Sequence, residues 1–131
     1  MNQERDLSAI KSILPIVIYD KSLDSNEIES FQNSVIRPIL KFQNQLLNEL
    51  VLERVKNLNA RFKLLSNEEQ EAFILSNVKK DIALRNQLIG IVLAFFNQDE
   101  FKVYSLYNKE LSKRIVEMIV QRVLDQYKYF L

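Results

Sequence analysis

The sequence predicts an all-α protein, a compact bundle of five or six helices around a central buried helix at about residues 81–96. Only one Gly and two Pro occur in 131 residues, which favours long helices joined by short turns. The run from Leu88 to Phe96 is apolar on every side of a helical wheel, as is typical of an enclosed helix. The run has about half the length of a membrane span, so we expect protein to enclose it.

The composition excludes several classes of site and partner. Without Cys or His, the chain has no disulfide, no thiolate or imidazole metal ligand and no imidazole base, so we expect no metal and no cofactor. A net charge of +1 favours neither nucleic acid nor an anionic membrane as a partner. No secretory signal pattern precedes the helices, so a cytoplasmic location is expected.

Residues 1–22 differ from the rest and are predicted to form an N-terminal arm. Leu7, Ile10 and Ile13 have helical spacing, but Pro15 ends that pattern and an extended segment, Ile16–Tyr19, follows. So apolar an arm needs a surface to cover it, either in its own chain or on a neighbouring subunit. Residues 23–131 are predicted to form a single helical-bundle domain.

Two helices are predicted next. Asp24 or Ser25 is expected to cap the first, and Pro38 either kinks that helix or stands in the first turn of a new one. From Ile39 to Phe62 the apolar spacing continues for about six turns, which predicts one long helix of roughly 35 Å.

Cap signals place the remaining helices. Ser66 and Glu69 form a capping box, and Asp81 is expected to cap the central helix. Asn97 is expected to cap a short helix that buries its aromatic residues, and Asn108 to cap the last helix, which runs to about residue 129.

Polar side chains within the apolar stripes are the candidate site. Asp81 and Arg85, four residues apart, share one side of the central helix, and Arg122 projects within the core-facing line of the last helix. In one interpretation these groups pair with acidic and amide side chains inside the bundle and set helix register. In the other, they bind a carboxylate or phosphate of a small anionic ligand. The candidate ligand-binding residues are Arg37, Asp81, Arg85, Asn86 and Arg122.

Two further features have simple interpretations. Ala83, Gly90 and Ala94 share a narrow side of the central helix, which favours close packing against another helix over a slot for a flat ligand. The acidic residues at the start of the capping-box helix are explained by the helix dipole. We therefore expect no catalytic residue.

The last helix predicts a homodimer. Its polar residues occupy less than half of its circumference, so a single neighbouring helix would not cover the rest. Either its own bundle encloses it or a two-fold contact does, and the small size of the protein favours the homodimer.

Three segments resemble a group of small uncharacterised all-helical bacterial proteins, some of which bear the name glyoxalase. They are Ile36–Leu40, Lys80–Gly90 and Arg114–Asp125. Glyoxalase I enzymes use paired βαβββ units with His and Glu metal ligands, and this chain has no His. The resemblance therefore implies a helical fold and no catalytic residue here.

These patterns favour a non-catalytic interaction or scaffold module that acts through helix faces. The alternative is a regulatory protein that binds a small anionic ligand through inward-facing arginines.

Overall fold

The prediction of an all-α protein is confirmed. A computed structural model of the chain describes residues 7–16 and 26–131, and within these ranges it contains helices and turns but no strand. The α-helices are α1 (Ser8–Ile13), α2 (Glu27–Phe31), α3 (Arg37–Phe42), α4 (Asn44–Leu58), α5 (Asn67–Lys80), α6 (Ile82–Leu93), α7 (Gln98–Leu106) and α8 (Asn108–Gln126).

The helices belong to two compact units. Unit 1 comprises the described residues up to Phe42 together with Ile89–Ile115, and unit 2 comprises Gln43–Leu88 and Val116–Leu131. Helices α6 and α8 therefore each contribute residues to both units. The single domain expected for residues 23–131 stays a prediction.

The start of the chain forms the predicted short helix. Helix α1 ends at Ile13, where Leu14 turns to an extended conformation just before Pro15. The ammonium of Lys11 lies 2.6 Å from a carboxylate oxygen of Glu100 on α7, so this part of the arm is held by its own chain. Most of the extended segment lies outside the described residues, as do the expected caps at positions 24 and 25.

Pro38 stands in the first turn of a new helix, as one of the two alternatives predicted. Asn26 caps α2, and a π-helical turn, Gln32–Ile36, separates α2 from α3. Proline has no N–H and its ring crowds the carbonyl four residues earlier, so a wider turn just before it relieves both constraints.

The prediction of one long helix from Ile39 to Phe62 is wrong. The chain leaves the helical conformation at Gln43, and α4 ends at Leu58 before the extended residue Asn59. The first break coincides with the passage from unit 1 to unit 2. Residues before and after this break therefore belong to different units, which local spacing does not show.

The predicted caps of α5, α6 and α7 are confirmed. Ser66 and Glu69 form a reciprocal capping box, and these hydrogen bonds hold the pKa of Glu69 below its usual value. Asp81 caps α6 by accepting a hydrogen bond from the backbone N–H of Leu84 at 2.9 Å. Asn97 forms a second capping box with Glu100.

Helix α6 buries one line of side chains rather than its whole circumference. Leu84, Leu88 and Val92 are fully buried, as is Phe96 beyond the end of the helix, whereas the small residues predicted to pack closely are exposed. A Cβ placed on Gly90 would meet no atom of the described residues within 4 Å, so none of their helices packs closely there as expected. Within the described residues, no helix is long and apolar enough to cross a membrane.

Aromatic contacts organise the core of unit 1. The ring of Phe96 lies edge-on to Phe31 at a centroid distance of 5.4 Å and also contacts Tyr104 at 5.9 Å. Tyr104 is half-buried as expected, but Phe101 is 52% exposed, so the prediction that α7 buries it is wrong.

Tyr127 closes the core of unit 2. It begins the 3-10 turn that follows α8, and its hydroxyl donates a hydrogen bond to Gln70 Oε1 at 2.8 Å. The amide of Gln70 in turn donates to the backbone oxygen of Phe62 at 3.1 Å. Since Gln70 and Tyr127 are almost completely buried, these hydrogen bonds satisfy groups that water cannot reach.

The apolar circumference of α8 is largely covered by its own chain. Val116, Val120 and Val123 are buried, as is Tyr127 after the helix, while Met118 and Leu124 are half-buried. Of the two alternatives predicted for this helix, the structure agrees with enclosure by its own bundle. Helix α8 therefore gives no support to a two-fold contact. The homodimer itself stays a prediction.

Replacing Phe96 by alanine should destabilise the protein by about 3–5 kcal/mol, because it removes a fully buried ring and leaves a cavity. Phe101→Ala, on the exposed ring of α7, is the matched control and should cost less than about 1 kcal/mol. Urea unfolding followed by circular dichroism measures both. Equal losses for the two variants would contradict this description of the unit 1 core.

Tyr127→Phe should lower the free energy of unfolding by about 1 kcal/mol at neutral pH, because Gln70 loses its hydrogen-bond donor. Burial, with a smaller contribution from Glu71, raises the pKa of Tyr127 above its ordinary value of 10.0. The phenol therefore stabilises the fold fully below pH of about 10, and this contribution is lost as pH rises through the higher pKa of the folded state. Urea titrations from pH 7 to 11 should show the difference between wild type and variant shrinking above pH of about 10. A constant difference would contradict it.

Candidate functional site

Asp81 has two roles at the junction of α5 and α6. Its backbone N–H donates to Asn77 at the end of α5, while its Oδ1 atom caps α6. Its Oδ2 atom lies 3.5 Å from Nε of Arg54 on α4. One carboxylate therefore holds α6 beside α4 in unit 2.

Arg54 occupies the place that the sequence suggested for Arg85. Besides its contact with Asp81, its Nη2 atom donates to Gln87 Oε1 at 3.4 Å. The Arg54 side chain is 35% exposed, so solvent screens this ion pair and its contribution to stability is small. Arg54 nevertheless contacts two groups, Asp81 at the cap of α6 and Gln87 on α6.

The other candidate residues on α6 and α3 do not join this contact. Arg85 is half-buried, and among the described residues its side chain has no hydrogen bond or ion pair, while Asn86 is exposed. Arg37 belongs to unit 1, where Nη1 lies 3.5 Å from Oδ1 of Asn33 one turn earlier.

Arg122 joins a set of amides in unit 2, which we call the amide network. Its Nη1 atom donates to Asn44 Oδ1 at 3.3 Å, and Nδ2 of Asn44 donates to Gln126 Oε1 at 2.7 Å. Asn48 also donates to Gln126, at 3.4 Å, and to the backbone oxygen of Asn44 at 2.9 Å. The network therefore joins α4 to the second half of α8.

Asn48 is the most buried member of the network, with no exposed surface. Both hydrogens of its amide are donated, but its Oδ1 atom accepts no hydrogen bond from the residues that the structure describes. The reverse assignment of oxygen and nitrogen would place two oxygens against each other at Asn44, so the present orientation is the better one.

A cleft of about 310 Å³ opens between α4 and α6 in unit 2. Arg54 and Gln87, which are hydrogen-bonded, form part of its lining, and Leu50 and Leu58 provide the apolar part. We call the cleft lining together with its neighbours Leu46 and Ala83 the α4–α6 face. Its residues are Leu46, Leu50, Glu53, Arg54, Asn57, Leu58, Ala83 and Gln87.

The apolar spacing from Ile39 to Phe62 includes the leucines of this face. In the structure a second line on α4, formed by Leu47, Val51 and Val55, is buried, while Leu46 and Leu58 are 46% and 58% exposed. The available signal was the number of apolar residues on α4, which exceeds what one buried stripe requires. Spacing alone did not show which line faces the core.

The polar groups of the α4–α6 face are one guanidinium, one carboxylate and two amides. In the described part of the chain, no group of three or more acidic residues could hold a metal ion.

Neither a family model, nor a curated protein, nor a solved structure matches the chain. The resemblance to small helical bacterial proteins stays a prediction from the three segments that suggested it.

Two substitutions of Asp81 should separate its roles. Asp81→Asn keeps a good capping side chain but removes the charge, so it should cost less than about 1 kcal/mol, and only at low salt. Asp81→Ala also removes the cap and should cost about 1–2 kcal/mol more at any salt concentration. Urea unfolding at 0.05 and about 1 M salt measures both effects. Identical losses for the two variants would show that Asp81 does not cap α6.

Proposed function

We propose that the protein is a non-catalytic interaction module that binds a helix of a protein partner on the α4–α6 face. The proposal rests mainly on the exposed apolar residues beside the cleft. Leu46 and Leu58 are each about half exposed, and both stand on the outward side of α4 with half-buried Leu50. An apolar surface with polar groups at its edge is typical of a binding site for a protein.

The form of the cleft favours a helix as the bound element. Its leucines recur along α4 at Leu46, Leu50 and Leu58, which is the spacing of one side of a helix. On the adjoining part of α6, Ala83 has a small side chain that leaves room for a bound helix. An amphipathic helix binds such a groove through its own apolar residues at similar spacing. Arg54, held by Asp81 and Gln87, provides an oriented polar contact within the groove.

The charges of the cleft argue against the alternative of a small anionic ligand. An anion that approached Arg54 would meet the carboxylate of Asp81, which already contacts the guanidinium, and that of Glu53 in the lining. Repulsion between the anion and these two carboxylates opposes binding. Arg122, the other strong candidate, is engaged with Asn44.

Two finer parts of the proposal come from the sequence alone. A homodimeric state and a cytoplasmic location remain predictions.

Photocrosslinking in the cells that make the protein tests the proposal. Leu58→p-benzoylphenylalanine should give a discrete adduct of one mass, because a bound helix would cover this position. The control is the same replacement at Leu106, which is 74% exposed but stands on α7 in unit 1. Mass spectrometry identifies whether the adduct contains this chain or another protein.

An adduct at Leu58 that exceeds the control and disappears in the Leu50→Glu variant supports binding at the face. No adduct beyond the Leu106 control would overturn the proposed function. Circular dichroism of each variant confirms that the helices remain formed.

A further inference from the structure

The two edges of the α4–α6 face differ in how their charges are paired. At roughly 100° per residue, Glu53 and Arg54 project on opposite sides of Leu50. Arg54 stands on the edge beside α6, where its guanidinium contacts Asp81 and Gln87. Glu53 stands on the opposite edge, which we call the outer edge, and its side chain is exposed. The charge of Arg54 is therefore already paired within the chain, whereas that of Glu53 faces solvent.

The outer edge has a second carboxylate. Glu49 is one turn before Glu53 on the same side of α4, is exposed, and accepts a hydrogen bond from Gln45 at 3.0 Å. Lys56 is the nearest cation of α4 on this side, but within the described part of the chain it forms no ion pair with either glutamate. The outer edge therefore presents two carboxylates that no described cation neutralises.

A helix bound over the leucines of the face removes water from this edge. Leu50 projects between the two edges, so a helix that contacts it lies beside Glu53. A carboxylate that loses its solvation opposes association unless a cation takes the place of water. Arg54 does not supply that cation, because it projects to the other edge and Asp81 already contacts it. Together Glu53, Arg54 and Asp81 have one negative charge in excess, so the missing cation has to come from the partner.

We propose that the α4–α6 face binds an amphipathic helix of another protein that carries Lys or Arg at one edge of its apolar side, paired with Glu53. The inference rests on the proposed function, because it names the chemistry of the partner at the same face. The cation belongs on one edge of the bound helix only, since Arg54 lies along the other. Glu49, one turn away, extends the acidic edge that this cation meets.

The leucines and the carboxylates then have different roles in recognition. Leu46, Leu50 and Leu58 offer apolar contact area to any amphipathic helix. Glu49 and Glu53 discriminate among such helices, because an acidic residue at the same edge meets like charge and also loses its solvation. The outer edge thereby adds specificity and a dependence on salt to the affinity that the leucines provide.

A display library of helical peptides tests the inference on the full chain. Each peptide has about four turns, with leucines fixed on one side at helical spacing and the other positions randomised. Peptides that bind Leu50→Glu are removed, and the remainder are selected on the wild type. Lys and Arg should then exceed Asp and Glu at one edge of the apolar side by at least about tenfold. On Glu53→Lys the preference should be reversed, in favour of Asp and Glu.

Matched variants separate the position of the charge from its sign. Glu71→Lys, at an exposed position on α5, changes the net charge by the same amount and should keep the wild-type preference. Glu53→Gln keeps the size of the side chain without its charge and should abolish the preference. The affinity of a selected peptide should fall between about 0.05 and 1 M salt for the wild type, and less for Glu53→Gln. Circular dichroism checks the helices of each variant, and Leu58→Glu replaces Leu50→Glu if the latter does not fold.

A preference for Lys and Arg that is absent on the wild type, or unchanged in Glu53→Lys, overturns the inference. The outcome for the proposed function is separate. Peptides that bind the wild type but not Leu50→Glu, without a charge preference, retain the interaction module and exclude a cationic partner. A Leu58 adduct of two copies of this chain retains binding at the face but contradicts a partner from another protein. No peptide that distinguishes the wild type from Leu50→Glu, together with no Leu58 adduct, removes both.

Discussion

The turn of the chain at Asp81, where α5 ends and α6 is capped, is the constraint on which the α4–α6 face depends. Asp81 ends α5, caps α6 and, at 3.5 Å, holds the guanidinium that lines the cleft. The first two roles involve residues near Asp81 in sequence, whereas the contact with Arg54 joins distant parts of the chain. Since a cap fixes where a helix begins, the position of α6 beside α4 follows from the same carboxylate that starts it. The cleft is therefore a consequence of how the chain turns at residue 81.

The amide network joins helices through neutral groups, in contrast to the ion pair between Asp81 and Arg54. Asn44, Asn48 and Gln126 bind one another through neutral groups, and the one charge, Arg122, lies half-buried at their edge. Neutral amides cost less to bury than carboxylates, but they bond only in one register of the two helices. Asn48, which is fully buried, donates both amide hydrogens within this network and so fixes α4 against α8.

Features set by neighbouring residues could be predicted from the sequence, while features set by distant residues could not. The caps at Ser66, Asp81 and Asn97 depend on hydrogen bonds over three residues, so local patterns identify them. The partner of Asp81 is different. The spacing of Arg85 on the same helix suggested it, but Arg54 comes from α4, and no local pattern joins positions 54 and 81.

The same limit explains the misplaced apolar residues. Helix α4 has two apolar lines, and the core needs only the one with Val51 and Val55. From Leu88 to Phe96, a wheel that is apolar on all sides predicted enclosure, yet only Leu88, Val92 and Phe96 of this run are fully buried. An apolar side chain on a helix shows that something should cover it, and does not show whether its own chain does so.

The exposed carboxylate of Glu53 restricts the kind of partner that can bind to α4. While it is exposed, water solvates its carboxylate, but a partner that covers Leu50 and Leu58 also displaces that water. The loss of solvation costs several kcal/mol unless the partner brings a cation to the same point. A purely apolar helix is therefore a poor partner for this surface. A partner that covers this surface therefore needs an apolar side with one cation beside it.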